Sequence, residues 1–182
     1  PTLNATTVSY ILEHSETKLL FVGKLDDWEM MKPGIPEDMP CISYPLSPKT
    51  DYPSWDNLVA EHAPMKEDTV RDADELATIV YTSGSTGQPK GVMLSFNALG
   101  VAASGVAEAL DIKDSDRMLS YLPLAHVFER YAVEQSSIHI GGQLFFAEAL
   151  DTFLDDLRRA RPTVFISVPR LWSKFQLWIF KK

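Results

Sequence analysis

The sequence predicts an α/β fold, with a doubly wound, mostly parallel sheet and flanking helices. The chain has 182 residues, of which 45% are hydrophobic, enough to bury one substantial core. Alternation of strands and helices along the second half is typical of crossover units that join parallel strands. The elements predicted there are strands over 118–121 and 143–147, helices over 127–140 and 151–161, a β-branched apolar segment over 163–168, and a last helix from Pro169.

The first part of the chain is predicted to be a helix that leads into a buried strand. A helix is expected over 4–14 because Val8, Ile11 and Leu12 share one face, and Thr2 or Asn4 can cap it. Prolines interrupt the stretch that follows, so it is expected to be rich in loops. The other elements predicted here are a strand over 18–22, a short helix over 25–31 anchored by Trp28, and a strand over 41–44 that holds the single cysteine, Cys41.

Two serines predict the starts of longer helices. A serine hydroxyl at the N-cap accepts a hydrogen bond from a free N–H of the first turn. Ser54 is expected to begin a helix to about residue 63, and Ser95 one to about residue 110. The side chains expected to turn inward are Trp55, Leu58 and Val59 on the first helix, and Leu99, Ala103, Val106 and Leu110 on the second.

The segment 81–91, Tyr-Thr-Ser-Gly-Ser-Thr-Gly-Gln-Pro-Lys-Gly, has the composition of a loop that wraps phosphate. Glycines let backbone N–H groups approach an anion, and hydroxyls and an ammonium add donors. Lys90 is the only charged residue between Glu75 and Glu108, in a chain of net charge -8, so a polyphosphate meets no carboxylate of this stretch. The alternative interpretation of the segment is a flexible Gly/Ser linker.

The segment departs from the P-loop pattern, in which the lysine leads straight into a helix. Here the order is Gly84-x-x-Gly87-x-x-Lys90, and residues 92–94 predict a strand before any helix begins. We therefore expect a hairpin connection between two strands, in which a helix dipole is not the main device for binding the anion.

The motif Tyr-Thr-Ser-Gly-Ser-Thr-Gly-x-Pro-Lys-Gly-Val resembles the phosphate-binding signature of the adenylate-forming (AMP-binding) superfamily. Leu-Pro-Leu-Ala-His-Val-Phe-Glu-Arg, residues 122–130, is similar to the second signature in its long-chain fatty acyl-CoA synthetase branch. Val-Pro-Arg-Leu-Trp, residues 168–172, also resembles that branch. The resemblance implies that the phosphates of ATP bind at Thr82, Ser83, Gly84, Ser85, Thr86, Gly87 and Lys90.

The second signature places His126 after a predicted strand end, where ligands collect in open α/β sheets. The resemblance implies that His126 orients the fatty acid carboxylate or moves when substrate binds. From the residues alone, a structural histidine is the alternative. Glu129 and Arg130 are interpreted as structural, as a pair on a helix surface that contributes little to stability.

The resemblance covers nearly all of the chain but only the middle of the large domain of a full enzyme. We expect residues 1–182 to be a partial AMP-binding domain, with an α/β part over 1–65, a charged connector over 66–75 and the phosphate loop with its βαβα part over 76–182. The sequence contains no Tyr-Gly-x-Thr-Glu segment for adenine and magnesium and no C-terminal domain with the adenylation lysine. We therefore expect a piece of a longer protein that is inactive by itself.

The chemistry implied by the resemblance is a two-step acid–thiol ligation. ATP and a fatty acid form an acyl-adenylate and pyrophosphate, coenzyme A then displaces AMP, and Mg²⁺ bridges the phosphates. Two alternatives stay open, an adenylating domain for an amino or aryl acid linked to a carrier protein, and a non-catalytic nucleotide-binding module. A third possibility is self-association through an open sheet edge.

Composition excludes some classes of partner. An acidic chain without a basic stripe disfavours nucleic acid. No charged-then-apolar stretch opens the sequence and no apolar run approaches ~18 residues, so we expect neither secretion nor a membrane span. One cysteine suits a reducing compartment. We expect a cytoplasmic protein with small-molecule partners, and peripheral membrane contact is open to the parent protein.

Overall fold

The computed structural model describes residues 4–82, 88–149 and 151–180, and it has the predicted α/β character. The chain divides into two compact units, one of residues 1–71 and 81–93 and the other of residues 72–80 and 94–182. Over the described residues, the strands form three two-stranded sheets, β1–β2, β3–β4 and β5–β6, and not one continuous doubly wound sheet. Two of the pairs, β1–β2 and β5–β6, are parallel, and the second of them is parallel as the crossover units predicted for the second half of the chain require.

The first unit begins with helix α1, Ala5–His14, as predicted. The side chain of Asn4 caps it by accepting a hydrogen bond from the Thr7 N–H at 2.9 Å. Val8 and Leu12 are buried on its inner face. Strands β1 (Leu20–Val22) and β2 (Cys41–Ser43) pair in parallel, and between them lie α2 (Trp28–Met31) and a 3₁₀ turn (Lys32–Gly34).

Helix α3, Trp55–Glu61, begins where predicted, because the Ser54 hydroxyl accepts a hydrogen bond from the Asn57 N–H at 3.2 Å. The prediction that Trp55 and Val59 turn inward is wrong, since both are exposed and α3 buries no residue. The Trp55 ring instead packs on the rings of Phe21 and Tyr44, with centroids 6.1 and 5.3 Å away. The apolar spacing correctly identifies one face of α3. That face stays exposed because the rings it contacts, Phe21 and Tyr44, are themselves partly exposed.

Strands β3 (Leu76–Thr82) and β4 (Lys90–Ser95) pair with each other, and helix α4 (Phe96–Ala109) follows directly. The Ser95 hydroxyl accepts from the Ala98 N–H at 3.1 Å, which confirms the predicted cap. Leu99 and Ala103 are buried as predicted. Leu110 is 51% exposed, contrary to prediction, because the helix ends at Ala109 and Leu110 lies beyond it as the C-cap residue.

The second parallel pair lies in the other unit and forms its core. Strand β5 (Arg117–Ser120) pairs with β6 (Gln143–Phe146) in the register Arg117↔Gln143 to Ser120↔Phe146. The connection is helical from residue 127, as predicted, but Glu129–Gln135 is a π-helix. It is followed by the α-helix Ser136–Ile140 (α5), which ends at Gly141 with φ 73°. Buried Ile112, Met118 and Val133 form one core cluster.

The last part contains helices α6 (Phe153–Ala160) and α7 (Pro169–Phe180). The segment 163–168 between them is partly buried, as its composition predicts, but it forms no strand ladder. The N–H groups of Thr163 and Val164 both donate to the Arg117 carbonyl, at 2.9 and 3.2 Å, so the segment stays against β5. Phe165 and Phe175 pack on a second core cluster, formed by Leu119, Phe153 and Ala160.

Candidate functional site

The predicted phosphate loop connects two strands that pair with each other. Thr82 is the last residue of β3 and Lys90 the first of β4, and both side chains are exposed. A strand follows the connection and α4 begins only at Phe96, which confirms that this is not a P-loop. Ser83, Gly84, Ser85, Thr86 and Gly87 lie outside the described residues.

A tyrosine–histidine contact lies beside this connection in the first unit. The Tyr81 hydroxyl, next to Thr82, lies 2.7 Å from Nδ1 of His14, the last residue of α1, and the two rings meet edge to face. Sequence reasoning missed this pair because the two residues are far apart in the chain and neither belongs to a shared pattern. The contact ties the end of β3 to α1.

His126 lies on an exposed turn that follows β5. Its N–H donates to the Pro123 carbonyl at 2.8 Å, and its own carbonyl accepts from the Arg130 N–H at 3.2 Å. Nδ1 of the ring accepts a hydrogen bond from the Phe128 N–H at 3.3 Å. In the neutral ring this leaves the proton on Nε2, which is then a donor for an anionic group.

The interpretation of Glu129 and Arg130 as a surface pair is wrong. Glu129 is 0% exposed, and its Oε1 accepts from the Tyr121 N–H at 3.1 Å. Arg130 instead donates from Nε to the Leu124 carbonyl at 3.2 Å and pairs with Glu134 at 3.4 Å. The helical repeat could have predicted the burial of Glu129, because positions 129, 132, 133 and 136 share one face and all four are buried.

Burial raises the pKa of the Glu129 carboxyl above its usual range. The Ser120 hydroxyl and the N–H groups of Tyr121 and Leu122 act in the opposite direction, and so does nearby His126, but burial is the largest effect. Within the described part of the chain, Oε2 has no hydrogen-bond partner of acceptable geometry. A buried carboxyl with one unpartnered oxygen destabilises the fold unless it is protonated.

We expect Glu129→Gln to raise the free energy of unfolding at about pH 8 and to leave it unchanged at about pH 4. A carboxyl whose pKa is raised by folding contributes its full stability below its unfolded pKa, near 4.5, and loses it as pH rises through the folded pKa. Glutamine stays neutral and loses nothing. Urea unfolding of both proteins at both pH values measures this, and an equal difference at the two values would contradict it.

The predicted site residues fall in two parts of the molecule. Thr82 and Lys90 belong to the first compact unit, whereas His126 belongs to the second. Over residues 4–82, 88–149 and 151–180, no group of three or more His, Cys, Asp or Glu side chains could hold a metal ion. The same residues contain no helix long and apolar enough to cross a membrane.

Known proteins resemble this chain over nearly its whole length. The family model described as AMP-binding enzyme matches residues 1–178. Long chain acyl-CoA synthetase 5 of Arabidopsis thaliana is 32% identical over 95% of this chain, and fatty acyl-CoA synthetase A of Dictyostelium discoideum is 33% identical over 97%. The chain spans 29% of the length of each of these two relatives.

The fold is also found in a solved ligase structure. The crystal structure of the anthranilate CoA ligase AuaEII in complex with anthranoyl-AMP matches with a TM-score of 0.76, at 21% identity, over 90% of this chain and 33% of that one. At this identity the likeness concerns the fold alone. The family model, the two relatives and this fold agree, and the chain belongs to the AMP-binding enzyme family.

Proposed function

We propose that this chain is part of a long-chain fatty acid–CoA ligase, which uses ATP to convert a fatty acid to its acyl-adenylate and then transfers the acyl group to coenzyme A. The observation that carries the proposal is the match to fatty acyl-CoA synthetases across 95–97% of the chain. The loop and histidine motifs lie within the match to the family model. The division into 1–65, 66–75 and 76–182, and the cytoplasmic location, stay predictions.

In the first step a carboxylate oxygen of the fatty acid attacks the α-phosphorus of ATP. The bond from the α-phosphorus to the oxygen that joins it to the β-phosphorus breaks, and pyrophosphate leaves with the negative charge. Lys90 would lie against the β- and γ-phosphates, with Thr82 and residues 83–87 as further donors. Donors placed in advance around the developing charge are the main catalytic device for such a reaction.

The acid would bind near His126. With Nδ1 occupied by the Phe128 N–H, the Nε2–H group is available to orient the carboxylate. In the second step the thiol sulfur of coenzyme A attacks the acyl carbonyl carbon, the bond from that carbon to the phosphate oxygen of AMP breaks, AMP leaves, and the thiol proton is released to water. The described residues provide no group of three or more His, Cys, Asp or Glu side chains for Mg²⁺.

In the full-length enzyme, we expect Lys90→Ala to raise the KM for ATP by roughly ten- to a hundredfold. The ammonium makes a charge-assisted contact worth about 1.5–3 kcal/mol, and no other charged residue lies between Glu75 and Glu108 to replace it. Steady-state kinetics with varied ATP measures the effect. Lys66→Ala removes an exposed lysine from the predicted connector and serves as the matched control. Equal kinetics in the two variants would contradict the role of Lys90.

Pyrophosphate exchange by the full-length enzyme tests the function itself. We expect exchange that depends on long-chain fatty acids and exceeds that with amino acids or aryl acids. Preference for an amino or aryl acid would replace the fatty acid in the proposal. If no carboxylate supported exchange, the chain would belong to a non-catalytic nucleotide-binding protein.

A further inference from the structure

We propose that Glu129 and Arg130 position the turn that carries His126, each by holding a different point of that turn. This turn clamp consists of the two side chains and the backbone groups that they contact, the Tyr121 N–H and the Leu124 carbonyl. The inference rests on the proposed function, because it gives these residues a role in placing the fatty acid through His126. Neither side chain is assigned a contact with substrate, so both are positioning residues.

The first point of the clamp is the start of the turn. Oε1 of Glu129 accepts a hydrogen bond from the backbone N–H of Tyr121, the residue that follows β5. The side chain of Tyr121 is held as well, since its hydroxyl lies 2.8 Å from the Ser167 hydroxyl and accepts from the Val168 N–H at 3.3 Å. The start of the turn is therefore anchored by both its backbone and its side chain.

The second point lies inside the turn. Nε of Arg130 donates to the Leu124 carbonyl at 3.2 Å, two residues before His126. Glu134, one helical turn further on, pairs with the same guanidinium at 3.4 Å and limits its rotation. The Arg130 N–H also donates to the His126 carbonyl at 3.2 Å. These bonds hold the turn against the π-helical segment at two places, the Leu124 carbonyl and the His126 carbonyl.

Stability alone does not account for a carboxyl at position 129. Glu129 is 0% exposed, and over the described ranges its Oε2 has no hydrogen-bond partner of acceptable geometry. A well-packed apolar side chain at such a place is often neutral or stabilising relative to a buried charge. What an apolar residue cannot provide is an acceptor for the Tyr121 N–H, which sets the path of the chain toward His126.

A double-mutant cycle in the full-length enzyme separates positioning of His126 from a general loss of folded enzyme. We expect Glu129→Ala to raise the KM for the fatty acid by about tenfold and to leave the KM for ATP unchanged, because the hydrogen bond that the Tyr121 N–H donates to Oε1 is lost and position 129 is far from the phosphate loop in sequence. In a His126→Ala background the same change should have almost no effect on the KM for the acid. A merely structural role would lower the amount of active enzyme in both backgrounds.

Two further variants keep the test decisive if Glu129→Ala does not fold. Glu129→Gln retains an acceptor for the Tyr121 N–H and should keep the KM for the acid close to that of the wild type. Arg130→Met keeps the apolar stem but loses the donor to Leu124, so its effect should also vanish in the His126→Ala background. Glu108→Gln, at an exposed glutamate of α4, is the matched control.

Several outcomes overturn the inference. Effects of Glu129→Ala or Arg130→Met that persist undiminished without His126 would assign these residues a structural role only. An unchanged KM for the acid in folded Glu129→Ala would remove Glu129 from the clamp. If the wild-type enzyme showed no acid-dependent exchange at all, the proposed function would have failed, and this result is distinct from both.

Discussion

Gly34→Ala is expected to lower the free energy of unfolding of the chain by about 3 kcal/mol or more. Gly34 is buried at the end of the 3₁₀ turn, and a Cβ atom there would lie 2.1 Å from the carbonyl oxygen of Ala5. Its next nearest atoms, at 2.8 and 2.9 Å, are also backbone atoms of Ala5. Ala5 begins α1, so relief of the clash requires the start of this capped helix to move.

The control for this prediction is Gly23→Ala in the same unit. A Cβ at Gly23 would meet no atom within 4 Å, so the change should stay within about 1 kcal/mol of the wild type. Urea unfolding of the three proteins measures both effects. If the midpoints for Gly34→Ala and Gly23→Ala coincided, the close packing of the 3₁₀ turn against α1 would be contradicted.

Met118→Ala should lower the free energy of unfolding by about 2–5 kcal/mol. Met118 is 1% exposed on β5 and packs with Ile112 and Val133 in a cluster that partly buried Val106, Ile140 and Ile166 extend. Truncation to alanine removes buried apolar area and leaves a cavity that the two parallel strands and their helices cannot fully close. The lost free energy of unfolding therefore includes the burial of the removed atoms and the cost of the cavity.

Met65→Ala applies the same chemical change where no core exists. Its side chain is 83% exposed, so we expect an effect within about 0.5 kcal/mol. Urea unfolding with a common slope for all variants measures both changes. A loss below about 1 kcal/mol for Met118→Ala would show that the cluster is loosely packed or collapses around the missing side chain.

The three helix starts with a side-chain cap were well predicted because their chemistry is local, whereas α2 and α6 begin three and two residues later than predicted. Asn4, Ser54 and Ser95 each accept a hydrogen bond from an N–H three residues later, and nothing outside that turn is needed. The glycine that ends α5, Gly141, likewise follows from a backbone conformation that glycine adopts readily. The composition of the segment 81–91 and its lack of acidic neighbours are also local properties, and they led to the phosphate-binding hypothesis.

Burial was predicted less well because it depends on what lies opposite. Trp55 belongs to an apolar face, but its ring packs against the half-exposed rings of Phe21 and Tyr44. Adjacent charges at 129 and 130 are ordinary on a helix surface, yet the π-helical segment packs so that Glu129 is enclosed and Arg130 reaches back to Leu124. The partner of Glu129, the Tyr121 N–H, lies on a preceding turn that no periodicity places beside it.

Local sequence patterns were sufficient to predict the helix caps, the alternation of strands and helices, and the resemblance on which the proposed ligase function depends. These follow from hydrogen bonds within a turn, from apolar spacing and from contiguous motifs. Two features came from the folded structure alone: over the described residues the strands pair in three separate sheets, and a buried carboxyl accepts a hydrogen bond from the turn that carries His126. The reason is that the free energy a side chain contributes to folding depends on the atoms around it in the folded state. Those atoms come from distant parts of the chain.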